Sequence, residues 1–257
     1  MLARAEPGSL AGHVPDNLIY GPVMSRRFGR SLGVSFTPVD AVGCSWHCPY
    51  CQLGGGRSDR RPLSYPDPHA LLASLQQKLH AVAAVIDVVT IAGSGEPLLH
   101  PQAIPLLEAC GRMAHRYRVP LVLLTNGGGI EDNDVAQALA AVDRCYIKWD
   151  PGAPHGAWCA MGQEQAQNRR QALIDFPQLR IQSLLYHRAG SSGNAGVEAR
   201  QRWLEYMQEL QPVEIQLSTA ARNAPDPRIA PVEADVLEEW VDMARQALPN
   251  CQVQFSA

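Results

Sequence analysis

The sequence predicts an α/β protein folded as a partial (β/α)6 barrel, TIM-like, with parallel strands and an open side. Short apolar runs alternate with longer segments at helical spacing from Ser31 to Phe255. Such alternation implies a parallel sheet with crossover helices. About six strand–helix units can be counted, fewer than the eight that close a barrel. Finally, glycines and polar residues gather just after the strands, where parallel α/β folds hold ligands.

Each element has its own local reason. Ser31–Pro38 carries Leu32, Val34 and Phe36 in alternation and reads as the first strand. Asp67–Ala84 reads as a helix, with Pro68 near its start and Leu71, Leu72, Leu75, Leu79 and Val82 at helical spacing. Strands follow at 86–92, 119–125, 144–149, 179–187 and 213–218, with a further short one at 251–255. Helices fall between them at 101–117, 132–140, 162–174, 197–210 and 233–248. Residues 1–19 read as an irregular N-terminal arm and 20–257 as one domain.

Composition narrows the class. Of the 257 residues, 46% are apolar and 18% charged, enough to build a sizeable core and too few charges for disorder. No apolar stretch has the length of a membrane span, and no secretory signal is legible at the N-terminus. Seven cysteines, an odd number, suit reduced thiols. A cytoplasmic location with no membrane partner is the expectation. The net charge of −3 gives no general attraction to nucleic acid. Six arginines nevertheless flank the cysteine-rich segment, at positions 26, 27, 30, 57, 60 and 61. They are either a solvated face or a site for a phosphate or carboxylate of the substrate, since guanidinium forks suit both.

The chemistry centres on Cys44-Ser45-Trp46-His47-Cys48-Pro49-Tyr50-Cys51, three cysteines spaced C-x-x-x-C-x-x-C. Thiolates this close select iron–sulfur clusters, zinc or copper(I). With His47 as a fourth ligand the segment would be a zinc knuckle. With the three thiols alone on a [4Fe-4S] cluster, one iron would stay open for chemistry. Gly54-Gly55-Gly56 offers a backbone that a ligand can approach closely, or a plain turn. Cys110, Cys145, Cys159 and Cys251 have no such spacing and read as small buried hydrophobes.

Taken with Tyr20–Val34 upstream, and with Gly93-Ser94-Gly95-Glu96-Pro97 and Thr125-Asn126-Gly127 downstream, this segment resembles the radical S-adenosylmethionine (SAM) superfamily. The likeness is to its branch of iron–sulfur oxidoreductases that includes the tRNA wyosine-synthesis enzymes, and it runs from about Tyr20 to about Val232. The resemblance implies a [4Fe-4S] cluster on Cys44, Cys48 and Cys51, with SAM as second cofactor. It implies that Ser94-Gly95-Glu96 meets the methionine amino group, serine standing where the family has glycine. It places Tyr50 beside the adenine. Asn126 and Asp150, at strand ends, are candidates for ribose and methionine contacts, although an Asn in such a turn also satisfies its own backbone. Of Gln182 and Ser183, one faces the barrel interior and can meet SAM, or bonds to backbone instead.

No catalytic residue is assigned from sequence. The wyosine branch uses a lysine in handling its carbonyl substrate, but Lys148 is not matched to that role, and an ion pair with Asp150 is the expectation. Tyr186, His187, Arg222 and Asn223 stand near the substrate side. No flavodoxin-like domain is legible, so the electron donor is expected to be an external flavodoxin or ferredoxin. The substrate is expected to be a small molecule or a peptide, with a tRNA base as the alternative and a zinc-stabilised nucleic-acid-binding module as a further one.

Overall fold

The computed structural model describes residues 18–38, 43–52, 64–151, 163–220 and 224–256. The glycine run at 54–56, Arg57, Arg60, Arg61, Cys159, Arg222, Asn223 and most of the expected N-terminal arm lie outside the described residues.

Ten strands are described: β1 (Ile19–Ser25), β2 (Gly29–Val34), β3 (Val88–Ile91), β4 (Leu121–Thr125), β5 (Arg144–Lys148), β6 (Arg180–Leu185), β7 (His187–Arg188), β8 (Glu214–Thr219), β9 (Ile229–Ala230) and β10 (Gln252–Ser256). The helices are α1 (Pro68–Val82), α2 (Ala103–Arg116), α3 (Asn133–Ala140), α4 (Gln163–Ile174), α5 (Val197–Leu210) and α6 (Ala234–Ala247). Eight strands form one curled sheet in the order β1-β2-β3-β4-β5-β6-β8-β10. All neighbours from β2 to β10 are parallel, and only β1 runs antiparallel, against β2. This is the expected TIM-like partial barrel with parallel strands.

The sequence reading differs in detail. It has no counterpart to β1, because Ile19–Ser25 contains Gly21 and Pro22 and leaves four consecutive residues exposed. An edge strand of that kind lacks the alternation that betrays a half-buried one. β2 starts two residues earlier than expected, after a tight turn in which Gly29 takes φ +71°, and it stops at Val34 because Ser35 turns its hydroxyl back onto the Thr37 carbonyl at 2.8 Å.

Helix α1 shows how local chemistry sets a boundary. Asp67 caps it by accepting from the Ala70 N–H at 2.8 Å, and Pro68 fits the first turn, where its missing N–H costs nothing. Leu71, Leu75 and Leu79 form its buried stripe. The helices shield one face of the sheet, and the main core lies between, including the Trp203–Trp240 pair with ring centres 5.4 Å apart. A smaller cluster of Phe28, Val88, Val122 and Tyr146 fills one end of the inner face. Beyond it the inner face lines a cavity of about 720 Å³. Among the described residues no helix is long and apolar enough to cross a membrane.

Candidate active site at the C-terminal edge of the sheet

The cysteine segment is seated by backbone pairing. Gly43 forms a parallel bridge with Gly95, and the Glu96 N–H donates to the Gly43 carbonyl at 2.6 Å. A Cβ on Gly95 would lie 1.9 Å from that carbonyl oxygen. Only glycine permits so close an approach, so the Ser94-Gly95-Glu96 segment fixes the residue next to Cys44.

Glu96 is buried, with 4% of its surface exposed. It accepts from Thr125 Oγ1 at 2.5 Å, from the Asn126 N–H at 2.6 Å and from the Leu98 N–H at 3.0 Å. Burial raises its pKa, and these donors, with Arg169 nearby, act against the rise. The carboxylate therefore ties the loop after β3 to the end of β4. Asn126 is doubly used: its Oδ1 accepts from the Gly128 N–H at 2.9 Å, and its Nδ2 donates to Ser45 Oγ at 3.1 Å and reaches Cys44 Sγ at 3.9 Å. It satisfies its turn and also touches the cysteine segment.

Tyr50 anchors the other end of that segment. Its hydroxyl donates to Asp150 Oδ2, Lys148 Nζ stands 5.0 Å from its ring centre, and the Tyr186 ring centre is 5.8 Å away. Asp150 is buried and accepts from the Leu184 N–H at 2.6 Å. Its expected ion pair with Lys148 is present at 3.4 Å. Burial raises the Asp150 pKa against the pull of Lys148, Tyr50 and Leu184. Burial, then the Asp150 charge, raises that of Tyr50.

Gln182 and Ser183 separate as strand alternation requires. Gln182 lines the cavity. Ser183 does not: it is fully buried on the helix side, donating to the Trp149 carbonyl and accepting from Trp203 Nε1 at 3.0 Å. Its expected contact with SAM is corrected to a packing role. Of the flanking arginines, Arg26 and Arg27 line the cavity, whereas Arg30 is spent on Asp87 at 3.1 Å. Cys110 and Cys145 are buried as expected, and Cys251 is partly exposed.

Arg169 of α4 has no counterpart in the sequence reading. It is buried, donates to the Gly127 carbonyl at 2.7 Å and to that of Asn126, and lies over the Trp46 ring with 5.4 Å to its centre. It thus joins α4 to the turn after β4 and to the cysteine segment. Its helix is mostly polar and carries no clear apolar stripe, so no sequence pattern distinguishes Arg169.

The thiols suit a cluster. Cys44, Cys48 and Cys51 are each partly buried. Burial pushes the Cys44 thiol up to about 11 and the Cys48 thiol up to about 12, as sheltering from water does to a sulfur that would carry charge. Cys44 Sγ also accepts from the Trp46 N–H at 3.4 Å. Among the described residues no three His, Cys, Asp or Glu side chains converge on a single-ion site; a [4Fe-4S] cluster would take each thiolate on a separate iron, with the three sulfurs set around one cubane.

Comparison with known proteins identifies the fold. Streptococcus suis SuiB bound to S-adenosylmethionine matches with a TM-score of 0.60 at 15% identity, over 88% of this chain and 50% of that one. A spore photoproduct lyase mutant with dinucleoside spore photoproduct matches with a TM-score of 0.63 at 16% identity, over 95% and 81%. The fold is that of the radical SAM enzymes. In sequence, a UPF0026 protein of Synechocystis is 30% identical over 221 residues, 80% of this chain and 77% of that protein. The chain belongs to the UPF0026 family. A UPF0026 protein of Helicobacter pylori strain J99 is 34% identical over 126 residues, and the match spans 49% of this chain and 40% of that relative. No family model matches the chain.

Proposed function

We propose that this protein is a radical SAM enzyme that reductively cleaves S-adenosylmethionine and uses the resulting radical on a small molecule or peptide. The observation that carries the reading is the pairing of Gly43 with Gly95, which sets Cys44 beside Asn126 while Tyr50 and Cys51, at the other end of the segment, line the cavity. Cys44, Cys48 and Cys51 would hold a [4Fe-4S] cluster, whose vacant iron and injected electron supply the cleavage of SAM to a 5′-deoxyadenosyl radical.

The chain's own residues orient and shelter. The backbone of Ser94 and Gly95 lines the approach to the cysteine segment, and the Glu96 carboxylate holds that loop against β4. Asn126 steadies the Cys44 end of the segment, and Tyr50 with Asp150 steadies the Cys51 end. The cavity beneath receives the substrate. An external flavodoxin or ferredoxin would supply the electron. SuiB is also known bound to its precursor peptide SuiA, and the lyase is seen with a dinucleoside photoproduct, so a tRNA base is the second substrate reading.

Anaerobic reconstitution tests the proposal. The expected result is a brown protein with close to four irons per chain that yields 5′-deoxyadenosine from SAM, with both lost in Cys48→Ala. Retention of cluster and cleavage by that variant would sink it.

A further inference from the structure

The inner face of the sheet is polar on one side only. The strand register places Lys148, Gln182, Gln216 and Gln254 in one row across β5, β6, β8 and β10. The row below runs Tyr146, Arg180, Glu214 and Gln252. Parallel neighbours lie about 4.8 Å apart, so these side chains form a polar array on the sheet, of which Lys148 and Gln182 line the cavity.

Hydrogen bonding fixes the direction of the two amides. Glu214, as a carboxylate, can only accept. It takes Tyr146 Oη at 2.9 Å and Gln216 Nε2 at 3.1 Å, with Arg180 Nε at 3.4 Å. Gln216 must therefore aim its NH₂ at Glu214 and its Oε1 the other way. That Oε1 takes Gln182 Nε2 at 3.4 Å. Gln182 is left with its own Oε1 turned from the relay, and among the described residues no group donates to it. Gln182 and its row neighbour Lys148 both line the cavity. Lys148 gives one ammonium proton direction to Asp150 and retains two more.

We infer that Gln182 Oε1 and Lys148 Nζ together read a cyclic amide edge on the substrate, its N–H donating to Gln182 and its adjacent carbonyl accepting from Lys148. A trans peptide group points its N–H and C=O to opposite sides. A cis amide, as in a lactam or imide ring, offers both to one pair of neighbouring side chains. The inference rests on the cavity being the substrate site of the proposed enzyme. Glu214 and Gln216 are positioning residues, since they act by fixing which end of Gln182 faces the cavity.

The test uses uracil, which carries such edges, and 1,3-dimethyluracil, which has lost both N–H groups. Affinity is measured by ligand-observed NMR on the full chain before and after cluster reconstitution. Iron content and 5′-deoxyadenosine are assayed separately, so loss of the radical reading and loss of this one give different results. Uracil is expected to bind about tenfold more tightly than the dimethyl compound, the worth of one neutral hydrogen bond. Glu214→Gln keeps the volume but lets residue 214 donate, so the Gln216 amide can reverse and the preference should fall below about threefold. Gln182→Leu should abolish it. A folded far-UV spectrum for each variant establishes that the cavity wall is intact, and either variant alone suffices. Equal binding of the two probes, no saturable uracil binding, or an unchanged preference in a folded variant would overturn the inference.

Discussion

The two halves of the sheet are built from the same strand–helix unit and have different interiors. From β2 to β4 the inner face is small or apolar: Ser31 and Thr90, joined at 2.7 Å, then Val88, Val122 and Leu124. The loops that follow those strands carry the proposed cofactor site, namely the cysteine segment, Glu96 and Asn126. From β5 to β10 the inner face carries long polar side chains, Lys148, Gln182 and Gln216 among them, and Asp150 follows β5. The difference teaches a division of labour. One half positions its loops and keeps its interior plain, while the other uses its strands themselves as a binding surface. Strand residues are better fixed than loop residues, which suits recognition by a few aligned polar groups.

The largest expected effect lies at the junction of loop and strand. Gly95→Val must push the Gly43 carbonyl away; overpacking of this kind costs about 2 kcal/mol. Cluster loading should be lost while uracil binding persists, measured by iron content and NMR on the same sample. Loss of both would break the division.

A crossed pair sharpens it. Arg169→Met strands the buried carbonyls of Asn126 and Gly127, a loss of about 3 kcal/mol by denaturant unfolding, and should weaken SAM binding at least tenfold. Tyr146→Phe removes one donor to buried Glu214, about 2 kcal/mol, and should leave SAM binding within twofold. If both variants weaken SAM alike, the halves are not functionally distinct.

The smallest effect concerns pH. His100 Nδ1 accepts from the Gln102 N–H at 2.9 Å, so its proton sits on Nε2, which donates to the Pro66 carbonyl at 3.2 Å. Burial depresses its pKa below 6.5, against the pull of the Pro66 carbonyl. The unfolded chain takes up this proton near pH 6.5 and the folded chain resists it, so the contribution is complete above about 6.5 and is lost as pH falls through the folded value. The thermal midpoint should decline below about pH 6.5, with a shallower decline in His100→Gln.

Much of the barrel was legible because helices and parallel strands differ in period, and α1, α2, α5 and α6 carry clear apolar stripes. The cysteine spacing and the Glu96 loop were legible as motifs, and the structure brings the two segments together through Gly43 and Gly95. What escaped was long-range. Arg169 acts through carbonyls 42 and 43 residues away, with no local pattern to mark it. The polar row was within reach and was missed: Glu214 and Gln216 alternate with Ile215 and Leu217. In a parallel strand, whose two faces are ordinarily both covered, that alternation points to a cavity.

The cysteine segment is fastened to both halves, through Gly43 on Gly95 and through Tyr50 on Asp150. It spans the mouth like a tie-beam, and Lys148 touches the far footing. A ligand that draws Lys148 inward would therefore also pull on the Cys51 end of the segment, where the proposed cluster sits. Thermodynamic reciprocity then obliges the two ligands to alter one another's affinity by a single shared factor, and turnover would be tuned by occupancy of the inner chamber as well as by supply of electrons.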